Sequence, residues 1–443
     1  MDSPRQKAQE LRARGRAERK KQARFPFSLS RSSPVFMLLA ILGPGLIAAN
    51  AGNDAGGIAT FATSGASYGY NLLWALAITG FCLAIVQEMC ARMGVVTGKG
   101  LSDLIREQFG VRWAALAMLA LLIANTGVTI TEFLGIAASV QVLANDVHTP
   151  LIYVVVPLAG LILWWLVTRG SYRRVEKVFL VMSLGFLAYI PAAFAAHPNW
   201  GQVAHQFVSP RVTDAGYLFA VVTLIGTTIS PYMQFFVQSS VADKGIHASE
   251  YVYEKIELYS GTIFSILIAA FVIIATGAAL YPHTINNVIE AAVALRAFAG
   301  QYASLLFAIG LFGASLLAAA VLPLSTAYGI CEAFGFERGV SRSFREAPVF
   351  QSIFTGLIIL GVLVTLIPGL PDHLVQVLLI LQDVNAAMSP ILLTFIVLLV
   401  NNRRLMGRRV NGPIRNVIAW GTVAVIAVLV VLLLVSSIFH ITL

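Results

Sequence analysis

The chain has 443 residues, of which 58% are hydrophobic and only 12% charged, with a mean hydropathy of +0.81; a soluble globular domain carries roughly 25% charged residues. This excludes a soluble enzyme and defines an integral membrane protein with room for about ten to twelve spans. The net charge of +9 does not point to nucleic acid, because ten of the 30 Lys and Arg residues precede Pro34, and a basic cluster beside a first span tracks the anionic inner leaflet.

Residues 1–34 read as a basic cytoplasmic tail and 35–443 as one transmembrane domain. No small-residue cleavage site follows the first apolar run, which is therefore expected to be a span and not a signal peptide. Apolar runs bounded by turn and charge signals predict eleven spans. The first five are Val35–Ala62, Leu72–Arg92, Ala114–Leu143, Pro150–Val167 and Val178–Ala196. The next six are Ala215–Val241, Ser260–Leu280, Tyr302–Cys331, Phe350–Ile367, Val375–Leu399 and Val417–Phe439. Two connections, "GKGLSDLIREQFG" and "NNVIEAAVALRAF", have helical apolar spacing and predict interfacial helices on the inner and outer sides. With the N-terminus inside, only Arg211 and Arg296 fall on the outer side, so the positive-inside rule orients the chain with a cytoplasmic N-terminus and an outward C-terminus.

Cys82, Cys90 and Cys331 lie in or beside apolar runs with no metal-ligand or disulfide spacing and read as small buried residues. Three carboxylates fall deep in predicted spans: Asp54 in the first, Glu132 in the third and Asp383 in the tenth. Such groups mark ion or substrate paths, or else fix helix packing through hydrogen bonds. Glu88, four residues before Arg92, reads as a structural helix pair. No Lys or Arg sits mid-span, and all seven histidines fall in loops or at span ends. Asp54 must then be protonated, wet or bound to a cation.

Two spans carry helix breakers at depth: "GPGLIAANAGNDAGGIAT" in the first and "LIGTTISPYMQFFVQSS" in the sixth. Broken helices free backbone groups, which is tolerated where they line a cavity. Interruptions at matching positions of two five-span halves point to a transporter site at the midplane. Asp54 supplies one hard anionic oxygen, and freed carbonyls near Ala51 and Thr227 and the hydroxyl of Ser230 add neutral oxygens. An all-oxygen, low-charge site suits a hard divalent ion that keeps several waters. Magnesium fits best, manganese is admissible, and sodium with an organic solute stays open.

The "GPGLIAA" entry and, above all, "LLWALAITGFCLAIVQEMCARMGVVTGKGLSDLIREQFG" resemble the Nramp divalent-metal transporters, colinearly over nearly all the chain after the tail. The resemblance implies a LeuT-type fold, two inverted repeats of five helices plus one extra helix, with metal between unwound helices one and six. The family's first-helix motif Asp-Pro-Gly-Asn reads Asp54-Ala55-Gly56-Gly57 here, so Gly57 stands where the asparagine ligand would be. Its sixth-helix Met-Pro-His reads Ser230-Pro231-Tyr232, without the thioether that favours transition metals. On the third helix Thr129 takes the place of an acid that precedes Glu132. This pattern resembles the Nramp-related magnesium branch, which implies a wider site, a hydrated ion and no proton coupling. Gln382 or Asp383 matches the polar tenth-helix position.

The expected protein is an all-α cell-membrane transporter, not an enzyme and without a resident cofactor, whose partners are a divalent metal ion and the lipid bilayer. It carries hydrated Mg2+, and also Mn2+, through Asp54, Ala51, Gly57, Thr227, Ser230, Gln382 and Asp383. The alternatives are a proton-coupled Mn2+/Fe2+ carrier and an organic-solute symporter on the same fold. Oligomeric state is not legible.

Overall fold

The computed structural model of the protein describes residues 53–168, 184–212, 215–244, 251–285, 287–293, 295–339 and 342–439. Among these residues there is no strand. Among the described residues eight helical stretches are long and apolar enough to cross a membrane, one of them Gly216–Ala242, which is broken in its middle, and Ile152–Thr168 is a shorter apolar helix.

In chain order, α1 is Ala55–Tyr68, α2 Leu73–Thr97, α3 Leu101–Phe109, α4 Val111–Ala144 and α5 Ile152–Thr168. A short 3-10 turn leads into α6 (Tyr189–Ala195), followed by α7 (Trp200–Val208). Next come α8 (Ala215–Thr228), α9 (Pro231–Lys244), α10 (Tyr251–Leu280) and α11 (Val288–Val293). The last four are α12 (Ala303–Phe334), α13 (Pro348–Thr365), α14 (Leu374–Val400) and α15 (Pro413–Phe439).

Most predicted spans match these helices; the fifth, Val178–Ala196, lies outside the described residues up to position 183 and continues as the 3-10 turn Leu184–Ala188 and α6, and three further places differ. The first span is described only from Asn53, and its helix starts at Ala55. The sixth span is two helices, α8 and α9, separated at Ile229 and Ser230. "NNVIEAAVALRAF" is not one interfacial helix: α11 ends at Val293 and a separate turn follows at Arg296–Ala299. The predicted inner helix is present as α3, but it lies on protein, since Leu101, Leu104 and Ile105 are fully buried.

Burial sorts the helices. The most apolar window of the α12 region is 78% buried and that of α15 only 28%, so α12 runs through the centre and α15 lies at the periphery. Large apolar side chains left exposed, such as Ile78, Phe81, Leu119, Leu161 and Val428, face outward, where lipid tails replace water as solvent. Close packing of α12 on α4 and of α1 on α10 forms the middle of the bundle.

Glu88 does pair with Arg92, at 3.4 Å, as its spacing predicts. It also binds Arg415 at 3.1 Å and accepts the hydroxyl proton of Tyr251. The C-terminal half of α2 and the starts of α10 and α15 are thereby joined around one buried carboxylate, which is structural.

Candidate functional site

Asp54 is the N-cap of α1. Its extended backbone (φ −73°, ψ −179°) lets Oδ1 accept from the Gly57 amide at 2.7 Å. Such a cap contributes about 1 kcal/mol, much less than the several kcal/mol that burying a carboxylate costs. Asp54 is fully buried, and its Oδ2 has no hydrogen-bond partner. Capping therefore accounts for one oxygen and leaves the other as an available ligand. The glycine at 57 acts here through its backbone amide.

Glu132 on α4 comes to the same place. Its Oε2 accepts from the Ala55 amide at 3.3 Å and its Oε1 from Thr131 Oγ1 at 3.2 Å. Glu132 is fully buried, and it interacts electrostatically with Asp54. Tyr232, in the first turn of α9, is buried within electrostatic range of both carboxylates. The first and sixth spans thus meet at Asp54.

The break between α8 and α9 follows from Pro231. Proline has no N–H, so the Thr227 carbonyl loses its helical donor. The Ser230 hydroxyl donates instead to the carbonyls of Gly226 and Thr227, at 3.2 and 3.3 Å. Asn385 Nδ2 donates to the Gly226 carbonyl and to Ser230 Oγ, both at 2.8 Å. Thr227 is fully buried with an unpartnered Oγ1. The C-terminal end of α8 also carries the negative end of its helix dipole, which favours a cation.

Gln382 on α14 lies against both the start of α1 and the end of α8. A Cβ built on Gly56 would lie 1.8 Å from Gln382 Nε2, and one on Gly226 would lie 2.4 Å from the Gln382 carbonyl oxygen. Only glycine at both positions admits this approach. Gln382 is fully buried and its Nε2 has no partner.

The structure therefore brings Asp54, Gly57, Thr227, Ser230 and Gln382 into one region. Asp383 sits on a different face of α14: it is partly exposed and accepts from Thr223 Oγ1 at 2.6 Å, one turn before Thr227. Ala51 lies outside the described residues. The site residue that the sequence reading missed is Asn385. Gln382, Asn385 and Ser389, all buried, recur at i, i+3 and i+7 on one face of an apolar helix, a spacing that marks a polar stripe. Glu132 was singled out at depth but not placed with Asp54. Among the described residues no group of three or more His, Cys, Asp and Glu side chains that could hold a metal ion converges.

A narrow apolar crevice runs from Ala55 and Gly135 along Ile58 and Ala62 of α1. Val288 and Ala291 of α11 and Phe307 of α12 complete it.

Buried carboxylates beside a helix broken at Pro231, inside an all-helical membrane bundle, are the arrangement of a transporter. The sequence signature described as "Natural resistance-associated macrophage protein-like" (Nramp) matches residues 45–436, and the chain belongs to that family. It is 26% identical over 425 residues to a protein named divalent metal cation transporter MntH from Latilactobacillus sakei, with 90% of each chain covered. Its identity to the MntH of Yersinia pestis is 27%, with 90% of this chain and 95% of that one covered. The fold is that of the crystal structure of the Eremococcus coleocola manganese transporter bound to an aromatic bis-isothiourea compound. That match has a TM-score of 0.71 at 20% identity and covers 92% of this chain and 88% of that one. A more distant fold match is MhsT in complex with L-phenylalanine, with a TM-score of 0.59 at 14% identity, covering 89% of this chain and 98% of that one. The expected LeuT-type architecture is thus the observed one.

Proposed function

We propose that the protein carries a hydrated divalent cation, Mg2+ and also Mn2+, across the cell membrane by alternating access and without proton coupling. One observation carries this reading: Asp54 is fully buried, yet its Oδ2 has no hydrogen-bond partner. Relatives named divalent metal cation transporters support the class of substrate. The donors around Asp54 support the hydrated ion. They are carbonyl, hydroxyl and amide oxygens, which suit Mg2+ and Mn2+ and give no advantage to softer metals. Asp54, Ser230, Thr227 and Gln382 would hold the ion, with Gly57 leaving room for its water. Ala51 would add a carbonyl, and Asp383 would act from the Thr223 side.

The absence of coupling is argued from the helices around Glu132. Thr129 takes the place of a second acid one turn before it, and α13, which packs on α4, has no charged residue. An inside-negative potential of 100 mV acting on a dication supplies about 4.6 kcal/mol, which suffices for uptake without a second ion. The distribution of Lys and Arg supports a cytoplasmic N-terminus.

A second reading, a proton-coupled Mn2+ carrier, draws on the contact of Glu132 with the Ala55 amide. Liposome uptake of Mg2+, Mn2+, Ca2+ and Fe2+ with internal pH recorded separates the two. Entry of Mg2+ and Mn2+ with no acidification supports the first reading, and Mn2+ entry accompanied by acidification replaces it with the second.

A further inference from the structure

A hydrogen bond between Gln108 and Asn402, 294 residues apart, joins two turns at one end of the bundle. Asn402 Nδ2 donates to Gln108 Oε1 at 3.0 Å, and Asn402 Oδ1 accepts from the Arg404 amide at 3.0 Å. The short helix Arg403–Met406, which follows α14, is thereby tied to the end of α3. A buried ring backs the junction. Phe395 of α14 sits 5.4 Å from the ring of Phe109, the last residue of α3, and 6.2 Å from that of Trp113 in the first turn of α4.

The junction collects positive charge. Arg112 lies in the first turn of α4, and Arg403 and Arg404 lie just past α14; all three are exposed. Among the described residues none of the three pairs with a carboxylate. On the α3 side Glu107 is held by Lys99 at 2.6 Å. On the α14 side no Asp or Glu follows Asp383 in the sequence. Like charges held on one junction without a local acid raise the positive potential there and attract an anion.

An apolar face continues from the charged one. Trp113 is 54% exposed, and Leu116, Leu119 and Ile123 follow it along α4 at helical spacing, all exposed. Leu398, one turn from Phe395, is exposed as well. Tryptophan between an apolar stripe and polar ends is characteristic of the headgroup level of a bilayer. A soluble anion would use the arginines alone. A phospholipid uses both parts, since guanidinium groups match the oxygens of a phosphate and the aliphatic stripe matches an acyl chain.

We propose that the α3–α4 turn and the turn after α14 form a docking surface for an anionic phospholipid, its phosphate on Arg112, Arg403 and Arg404 and an acyl chain along Trp113, Leu116 and Leu119. The assignment of this lipid to the cytoplasmic leaflet rests on the orientation argued above, and the contact itself does not. The surface lies outside the Asp54 site, so it holds whichever ion is carried. A lipid seated there bridges α4 and α14, the helices that carry Glu132 and Gln382.

The test reads the fluorescence of Trp113, taken as wild type minus Trp113→Phe, in reconstituted phosphatidylcholine vesicles. A minor share of the lipid is brominated, as phosphatidylglycerol in one sample and as phosphatidylcholine in the other. Both leaflets carry the brominated lipid, so the result does not depend on orientation. Brominated phosphatidylglycerol is expected to be enriched at Trp113 by about fivefold or more, the scale of one interfacial arginine. The triple variant Arg112→Gln, Arg403→Gln, Arg404→Gln is expected to lose the enrichment. Arg211→Gln with Arg296→Gln, at the other end of the bundle, is expected to keep it. If the triple variant fails to elute as wild type in gel filtration, Arg403→Gln with Arg404→Gln carries the same expectation with a smaller loss. Equal quenching of the wild type by the two lipids overturns the proposal, as does a preference that survives loss of the arginines. Abolition of the preference by inorganic phosphate at constant ionic strength assigns the arginines to a free anion and also overturns it.

Discussion

The Oε2 of Glu132 accepts a hydrogen bond from the Ala55 amide at 3.3 Å, which sets a carboxylate of α4 against the first turn of α1 and next to Asp54. Two acids 78 residues apart in sequence share one buried region. Asp54 keeps an unpartnered oxygen, whereas both Glu132 oxygens accept hydrogen bonds. The pair is therefore unequal: Asp54 is free to bind a cation, and Glu132 fixes the start of α1.

This division predicts different outcomes at the two positions. Asp54→Ala removes the carboxylate charge that would face the ion and should weaken Mg2+ and Mn2+ binding in titration calorimetry by about 2 kcal/mol or more, at least roughly thirtyfold. Retained cation binding would show that the carboxylate serves only as a helix cap.

Glu132→Gln keeps the hydrogen-bonding shape of the side chain. Uptake of Mg2+ by proteoliposomes should stay within about threefold of wild type, since an amide oxygen still accepts from the Ala55 amide. Internal pH should be flat for both proteins. A pH change that accompanies wild-type uptake and vanishes in Glu132→Gln would instead assign the residue to proton coupling.

Gly56→Ala drives a methyl group into the position of Gln382 Nε2. Gln382 must then turn away from the region between the two helix breaks. Uptake is expected to fall about tenfold or more, because small displacements of positioning groups are costly. Gln382→Ala combined with Gly56→Ala relieves the collision. It should restore folding yield, read by gel filtration, without restoring the full rate.

Ser230→Met places a thioether at the break between α8 and α9. The soft sulfur should raise Mn2+ uptake relative to Mg2+ in competition, by about tenfold on the scale of one good ligand. The same change removes the hydroxyl that accepts from Asn385, so the absolute Mg2+ rate should fall.

Glu88 tests the opposite kind of carboxylate. It is almost fully buried and bound by Arg92, Arg415 and Tyr251. Glu88→Gln leaves buried positive charge uncompensated and should destabilise by about 3 kcal/mol or more. Thermal unfolding in detergent reads this as a lowered Tm, with cation affinity per folded molecule unchanged.

The sequence by itself determined the membrane class, most of the spans, the break at Pro231 and the presence of Asp54 at depth. Each of these is local. Apolar run length reports a span, Pro231 removes a particular backbone donor, and a lone carboxylate at depth is costly enough to require a role. What the tertiary structure decided was which groups meet. Glu132 and Asp54 are brought together only by the packing of α4 on α1. Gln382 and Asp383 are adjacent in sequence, yet one lies against Gly56 and the other against Thr223. The register of α14 separates them by about 100° of rotation. Asn385 became visible for the same reason: its partners, Gly226 and Ser230, lie more than 150 residues away. Helical periodicity gives a residue a face, and only the neighbouring helix gives that face a partner.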